Sequence, residues 1–126
     1  AGSDLLGRLM QGTDEKYRVS HAFEVRHPSW FCDEFYGQLR DAGCALVLAD
    51  TAGKFPYAEA ITTDFVYIRL HGSTQLYVSG YTDAELDMWA ARIRRWRGRC
   101  DVYVYFDNDA KVHAPYDAMR LAERLA

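Results

Sequence analysis

Four short runs rich in β-branched and aromatic residues, separated mostly by stretches of helical periodicity, constrain this chain more than any other feature. The runs are HAFEVR from His21, CALVLAD from Cys44, FVYIRLHG from Phe65 and DVYVYFDN from Asp101. After the first, Ser29 is the expected N-cap of a helix with Asp33 and Glu34 in its early turns. Phe31, Phe35, Leu39 and Ala42 recur along it at helical spacing, and Gly43 stops it. Before the fourth run, Thr82-Asp83-Ala84-Glu85 reads as a capping box. The helix it opens carries Leu86, Trp89, Ile93 and Trp96 on one face and ends at Gly98. A last helix presents Ala114, Ala118, Leu121 and Leu125, while Leu5, Leu6 and Leu9 suggest a short helical lead-in within residues 1–20. Thr51 to Asp64 shows no clear periodicity. Strand and helix alternating at this pace predict parallel βα units in one α/β domain over residues 1–126, since parallel neighbours need a crossover. The pattern leaves open a small doubly wound open sheet or part of a barrel, because both repeat the same unit.

Side chains alternate across a strand, so each run divides into two faces. Phe23 and Val25 oppose Ala22, Glu24 and Arg26; Val66, Ile68 and Leu70 oppose Tyr67, Arg69 and His71; Val102, Val104 and Phe106 oppose Tyr103, Tyr105 and Asp107. The apolar faces are expected to take the helices. Glu24, Arg26, Tyr67, Arg69, His71, Tyr105 and Asp107 then converge on the other side of the sheet. Charges at such depth are costly unless paired, which predicts Glu24 beside Arg26 or Arg69 and a second carboxylate, Asp107 or Asp50, beside a cation. In the second run Leu46, Leu48 and Asp50 oppose Ala45, Val47 and Ala49, so only its end could contribute.

A net charge of −3 gives no general attraction to nucleic acid or to anionic membranes. Three cysteines, Cys32, Cys44 and Cys100, lack CxxC spacing and suggest a reducing, cytoplasmic setting. No apolar run approaches the roughly 18 residues of a membrane helix. ARIRRWRGR clusters arginines around Trp96, which is compatible with nucleic-acid backbone contact. The periodicity nevertheless places those arginines on a solvated outer face, within reach of Asp83, Glu85 and Asp87.

The segments FEVRHPSW, DFVYIRLHG, GYTDAELDMWA and VYVYFDND, in that order and spacing, resemble the YecE-like family, also called domain of unknown function seventy-two. The resemblance runs from about Leu5 to Leu125 and matches only the C-terminal half of that family, whose Gly-Thr-Ser-Gly-Trp-like start is missing. It implies half of a TIM-barrel-like fold and no established activity. The chain departs from the family pattern at Asp107, where asparagine is usual, and near Lys111 and Val112, where glycine is common. Half a barrel would leave two strand edges and an interior uncovered, which predicts self-association or a missing N-terminal half-barrel as partner.

The leading functional expectation is a metal-dependent hydrolase acting on a phosphate-containing or other anionic substrate at the carboxyl ends of the strands. Glu24, His71 and Asp107 are the candidate catalytic residues, Arg26 and Arg69 the anion-binding pair, and Tyr67, Tyr105 and Asn108 the pocket. His27, Asp50 and Asp109 are candidate ligands for Mn, Zn or Mg, although no established ligand spacing marks them. TAGK at Thr51 lacks the spacing of a phosphate-binding loop. The alternatives are a non-catalytic nucleic-acid or anion-binding module and an inactive structural fragment.

Overall fold

A computed structural model describes residues 19–126, so the lead-in expected around Leu5, Leu6 and Leu9 lies outside the described residues. Four parallel strands, β1 (Ala22–Phe23), β2 (Ala45–Asp50), β3 (Phe65–Leu70) and β4 (Asp101–Phe106), form an open sheet in sequential order. Helices α1 (Asp33–Ala42), α2 (Asp83–Arg97) and α3 (His113–Leu125) supply the intervening and closing elements. The sheet is an α/β array of βα units and is not closed into a barrel.

Register decides which face is covered. Leu48 pairs with Ile68, and Val66, Ile68 and Leu70 align with Val102, Val104 and Phe106. These residues pack with Leu86, Trp89, Ile93 and Trp96 of α2 and Leu121 of α3 in one core. Leu46 shares their parity and packs with Phe35 and Leu39 of α1. All three of these helices therefore lie on one face, not on both as in a doubly wound sheet, and among the described residues nothing covers the side that carries Val47, Tyr67, Arg69, Tyr103 and Tyr105.

Several local expectations change. The first strand stops after Phe23, although Val25 stays on Phe23's side and packs in the same α1 cluster; a 3₁₀ turn over Pro28–Trp30 follows, where the proline has no N–H to give a ladder. Cys32, not Ser29, is the N-cap of α1; Ser29 lies inside the 3₁₀ turn, its N–H donated to His27 Nδ1 at 3.2 Å. The capping box of α2 is present as expected, with the Glu85 N–H donated to Thr82 Oγ1 at 3.2 Å and the Thr82 N–H to Glu85 Oε1 at 2.9 Å. No helix fills residues 51–64; this segment crosses from β2 to β3 as a loop pinned by the Thr62 hydroxyl donating to the Cys44 carbonyl at 2.6 Å.

On α3 the buried positions are Ala114, Asp117 and Leu121, whereas Ala118 is exposed. Asp83 and Asp87 pair with Arg124 and, for Asp83, also with Arg120, all across to α3 rather than along their own helix. Arg97 of α2 donates to the Leu125 carbonyl at 2.7 Å, and Arg94 to that of Arg124, so these arginines cap the negative end of α3. Val112, before α3, has a φ of 62°. A β-branched residue is strained there, which accounts physically for a position at which glycine would be common.

Candidate functional site

The uncovered side of the sheet is a hollow of about 460 Å³ lined by Ala22, Glu24, Val47, Tyr67, Arg69 and Tyr105, with Phe65 and Tyr103 nearer its N-terminal end. Strand parity delivers these residues. Tyr67 and Tyr105, on neighbouring strands, stack with ring centroids 5.1 Å apart and planes 25° from parallel. Tyr103 and Tyr105 remain 47% and 51% exposed, an unusual amount of aromatic surface for the middle of a strand.

At the C-terminal rim the charged groups form a closed circuit. Arg69 donates from Nη1 to Glu24 Oε1 at 3.1 Å and from Nη2 to Asp107 Oδ2 at 2.9 Å. Arg26 donates from Nε to Glu24 Oε2 at 2.9 Å, with Nη2 on the same oxygen, and its guanidinium lies 4.2 Å from the Phe55 ring centroid. His71 completes the circuit from below: Nδ1 faces Asp107 Oδ1, and Nε2 lies 3.8 Å from Glu24 Oε1. The imidazole is only 1% exposed and is covered by Tyr77, whose ring meets it edge-on at 5.2 Å.

These surroundings fix protonation. Burial would raise the Glu24 pKa, but the Arg26 hydrogen bond and the nearby Arg69 charge outweigh it and hold the carboxyl below its ordinary value. Burial also dominates at His71 and depresses its pKa, so the ring favours the neutral form. The Arg69 pKa is raised, because Glu24 and Asp107 more than offset the burial that would lower it. Two carboxylates and two guanidinium groups therefore neutralise one another around a neutral imidazole.

Not every expected site residue joins this group. Asn108 is fully buried on the helix side, donating to the Ser79 carbonyl and to Asp117 Oδ2, each at 2.9 Å, so it is not a pocket residue. Asp50 points to the helix side, where Oδ2 accepts from the Tyr81 hydroxyl at 3.0 Å. His27 Nδ1 is engaged with Ser29 Oγ at 2.8 Å, and Asp109 is exposed in the loop after β4. The three candidate metal ligands are thus not brought together, and no group of three His, Cys, Asp or Glu side chains is arranged to hold a metal among the described residues. The carboxylates that do converge direct three of their four oxygens at guanidinium nitrogens and the fourth, Asp107 Oδ1, at His71. That donor set does not fit a divalent cation.

Tyr103 belongs to the hollow by the same alternation that marks Tyr105. Tyr77 sits in a loop and has no periodic signal; its left-handed backbone, with a φ of 62°, carries it over His71.

A one-sided parallel β/α sheet with a polar aromatic hollow defines the class of protein. A family profile described as protein of unknown function DUF72 matches residues 2–126, and the chain belongs to that family. A DUF72 family protein from Thermotoga maritima is similar in structure at a TM-score of 0.85 and 29% identity, over 98% of this chain and 51% of that one. A DUF72 family protein from Enterococcus faecalis shares the fold at a TM-score of 0.76 and 19% identity, over 86% of this chain and 48% of that one. The chain spans about half the length of these solved relatives. No curated protein matches it.

Proposed function

We propose that the hollow is a substrate site for a neutral, hydroxyl-bearing ring, with Glu24 as the ionised acceptor that activates a hydroxyl or a water for hydrolysis. The observation that supports this reading most is the pairing of a tyrosine platform, Tyr67 on Tyr105, with a carboxylate that lines the same hollow and is kept ionised by two arginines. Aromatic faces favour the apolar face of a ring, and fixed carboxylates and guanidinium groups take its hydroxyls. The rim has no net positive charge to attract a phosphate, because Arg26 and Arg69 are already matched by Glu24 and Asp107. His71 is a positioning residue here: at 1% exposure it reaches substrate only through Glu24 and Asp107.

The test is a hydrolysis and binding panel of neutral aryl glycosides and nucleosides against a phosphodiester, with and without Mn²⁺. A neutral substrate should be turned over without added metal, and Glu24→Gln should reduce kcat by about 100-fold or more if general-base catalysis is lost. Turnover of the phosphodiester alone, and only with Mn²⁺, would restore the metal-dependent phosphoesterase reading in place of this one.

A second use of the same face is favoured by one observation, the exposure of Tyr103 and Tyr105 beside a sheet edge at β4 that has no partner strand among the described residues. We infer that two copies associate through it. Light scattering behind size-exclusion chromatography should give the mass of a dimer at high micromolar concentration, moving toward a monomer for Tyr105→Glu. A clean wild-type monomer under those conditions sinks the inference.

A further inference from the structure

A second cavity, of about 260 Å³, lies past the C-terminal end of β2, between residues 51–57 and α2. We propose that it binds a small organic cation, a quaternary or primary ammonium group on a short apolar body. Three of its walls are the aromatic rings of Phe55, Tyr57 and Trp89, and a fourth is the flexible thioether of Met88. Tyr57 and Trp89 meet edge to face at 6.2 Å, a geometry that builds a corner rather than a filled stack.

The protein's own cations already show what these rings attract. Arg92 places its guanidinium 4.8 Å from the Trp89 ring centroid, and Lys54 holds its ammonium 5.6 Å from that of Phe55. Arg92 is committed to Glu59, with Nε 3.3 Å from Oε1, and Glu59 also accepts from the Tyr57 hydroxyl at 2.7 Å.

That pairing leaves two further acids of the cavity, Asp50 and Glu85, without an ion pair among the described residues. Both are held by neutral donors instead. Asp50 accepts from the Tyr81 hydroxyl at 3.0 Å and faces the Ala52 N–H, and Glu85 accepts from the Thr82 N–H. Burial and, to a smaller extent, the neighbouring Glu85 charge push the Asp50 pKa up, in the direction expected of an acid lacking a cation. An aromatic corner with two uncompensated carboxylates suits a weakly hydrated cation, which loses little hydration on entry and gains from both ring faces and charge. A hard metal ion would find neither the oxygen count nor the geometry it needs.

The conservative variants preserve the architecture. Asp50→Asn keeps an oxygen for the Tyr81 hydroxyl and gives up only the longer contact from the Ala52 N–H at 3.4 Å, and Glu85→Gln keeps the oxygen that accepts from the Thr82 N–H, so charge is removed while the shorter hydrogen bonds stay. The experiment titrates the full chain with choline chloride while following the Trp89 indole N–H by nuclear magnetic resonance. Potassium chloride at equal ionic strength and 3,3-dimethylbutan-1-ol, the neutral carbon analogue of choline, are the controls. Choline should shift Trp89 saturably with a Kd of about 1 mM or tighter, and the alcohol and potassium should not. The Asp50→Asn/Glu85→Gln protein should bind at least about tenfold more weakly, and Glu85→Gln alone should lie between. Equal binding of choline and its neutral analogue, unchanged affinity in the folded double variant, or no saturable shift at all would each overturn the proposal. Asp50 and Glu85 do not line the tyrosine hollow and Glu24 does not line this cavity, so failure here leaves the Glu24 proposal standing, and the converse holds.

Discussion

Replacing Asp117 by alanine should cost about 3 kcal/mol of stability, since each buried polar partner left unsatisfied carries a penalty of roughly 1–3 kcal/mol. Asp117 is 3% exposed on the inner face of α3. Its Oδ2 accepts from the Tyr81 N–H at 3.0 Å and from Asn108 Nδ2 at 2.9 Å, and Oδ1 accepts from Arg120 at 3.1 Å. Alanine strands the buried Tyr81 N–H and one N–H of the Asn108 amide, whose other N–H keeps the Ser79 carbonyl, while Arg120 retains Asp83 and reaches water. The loss spreads, because Tyr81 links Asp50 to the Gly72 N–H and so fixes the start and end of the loop that carries Tyr77 over His71. Asn at this position keeps one acceptor oxygen and should lose about half as much. Urea unfolding of the two variants checks this, and a loss below about 1 kcal/mol for Asp117→Ala would show that water or rearrangement satisfies the stranded donors.

The contrast between Asp117 and the strand residues explains what the sequence discloses. On β3 and β4 a period of two separates Val66, Ile68 and Leu70 from Tyr67 and Arg69 without ambiguity, and both the one-sided core and the hollow follow from it. The same rule already sets Asp50 with Leu46 and Leu48 and Asn108 with Val104 and Phe106. Applied consistently it keeps both off the hollow, where the structure also does not put them. His27 and Asp109 lie beyond the strands, where no periodicity governs direction. Asp117 falls three residues after Ala114 and four before Leu121, squarely on the buried stripe of α3. An acid reads as an interruption of an apolar stripe, so the partners that make it tolerable, a backbone N–H and an amide on other elements, are visible only in three dimensions. The short first strand has the same character. HAFEVR has strand composition throughout, yet pairing with β2 ends at Phe23 although Phe23 and Val25 both pack against α1 and the loop before β3, so composition and parity do not mark where the ladder stops.

Arg69→Ala should destabilise the chain by about 2 kcal/mol near pH 8 and by much less near pH 5. Breaking a fully buried ion pair costs about 3–5 kcal/mol, and solvent screening reduces that here because Arg69 and Asp107 side chains are each 34% exposed. The pH dependence follows from which charges remain. Without Arg69, Glu24 keeps only Arg26, and Asp107 keeps only the neutral imidazole of His71. Arg69 is one of the charges that depress the His71 pKa, after burial itself; its removal raises that pKa, so on acidification His71 takes up a proton and becomes the missing cation between the two carboxylates. In the parent protein the sign is opposite. A histidine whose folded pKa is depressed contributes stability above its unfolded value of about 6.5, and that contribution is lost as the pH falls through the folded value. Glu24, also depressed, contributes above about 4.5 and loses its share only below that. The parent should therefore weaken from pH 7 to pH 5 while Arg69→Ala holds steady or gains, and the two unfolding curves should converge. Their remaining a constant distance apart across that range would mean that His71 does not couple to the Glu24–Arg69–Asp107 circuit, and Arg69→Ala/His71→Gln should lie a constant distance from His71→Gln by design.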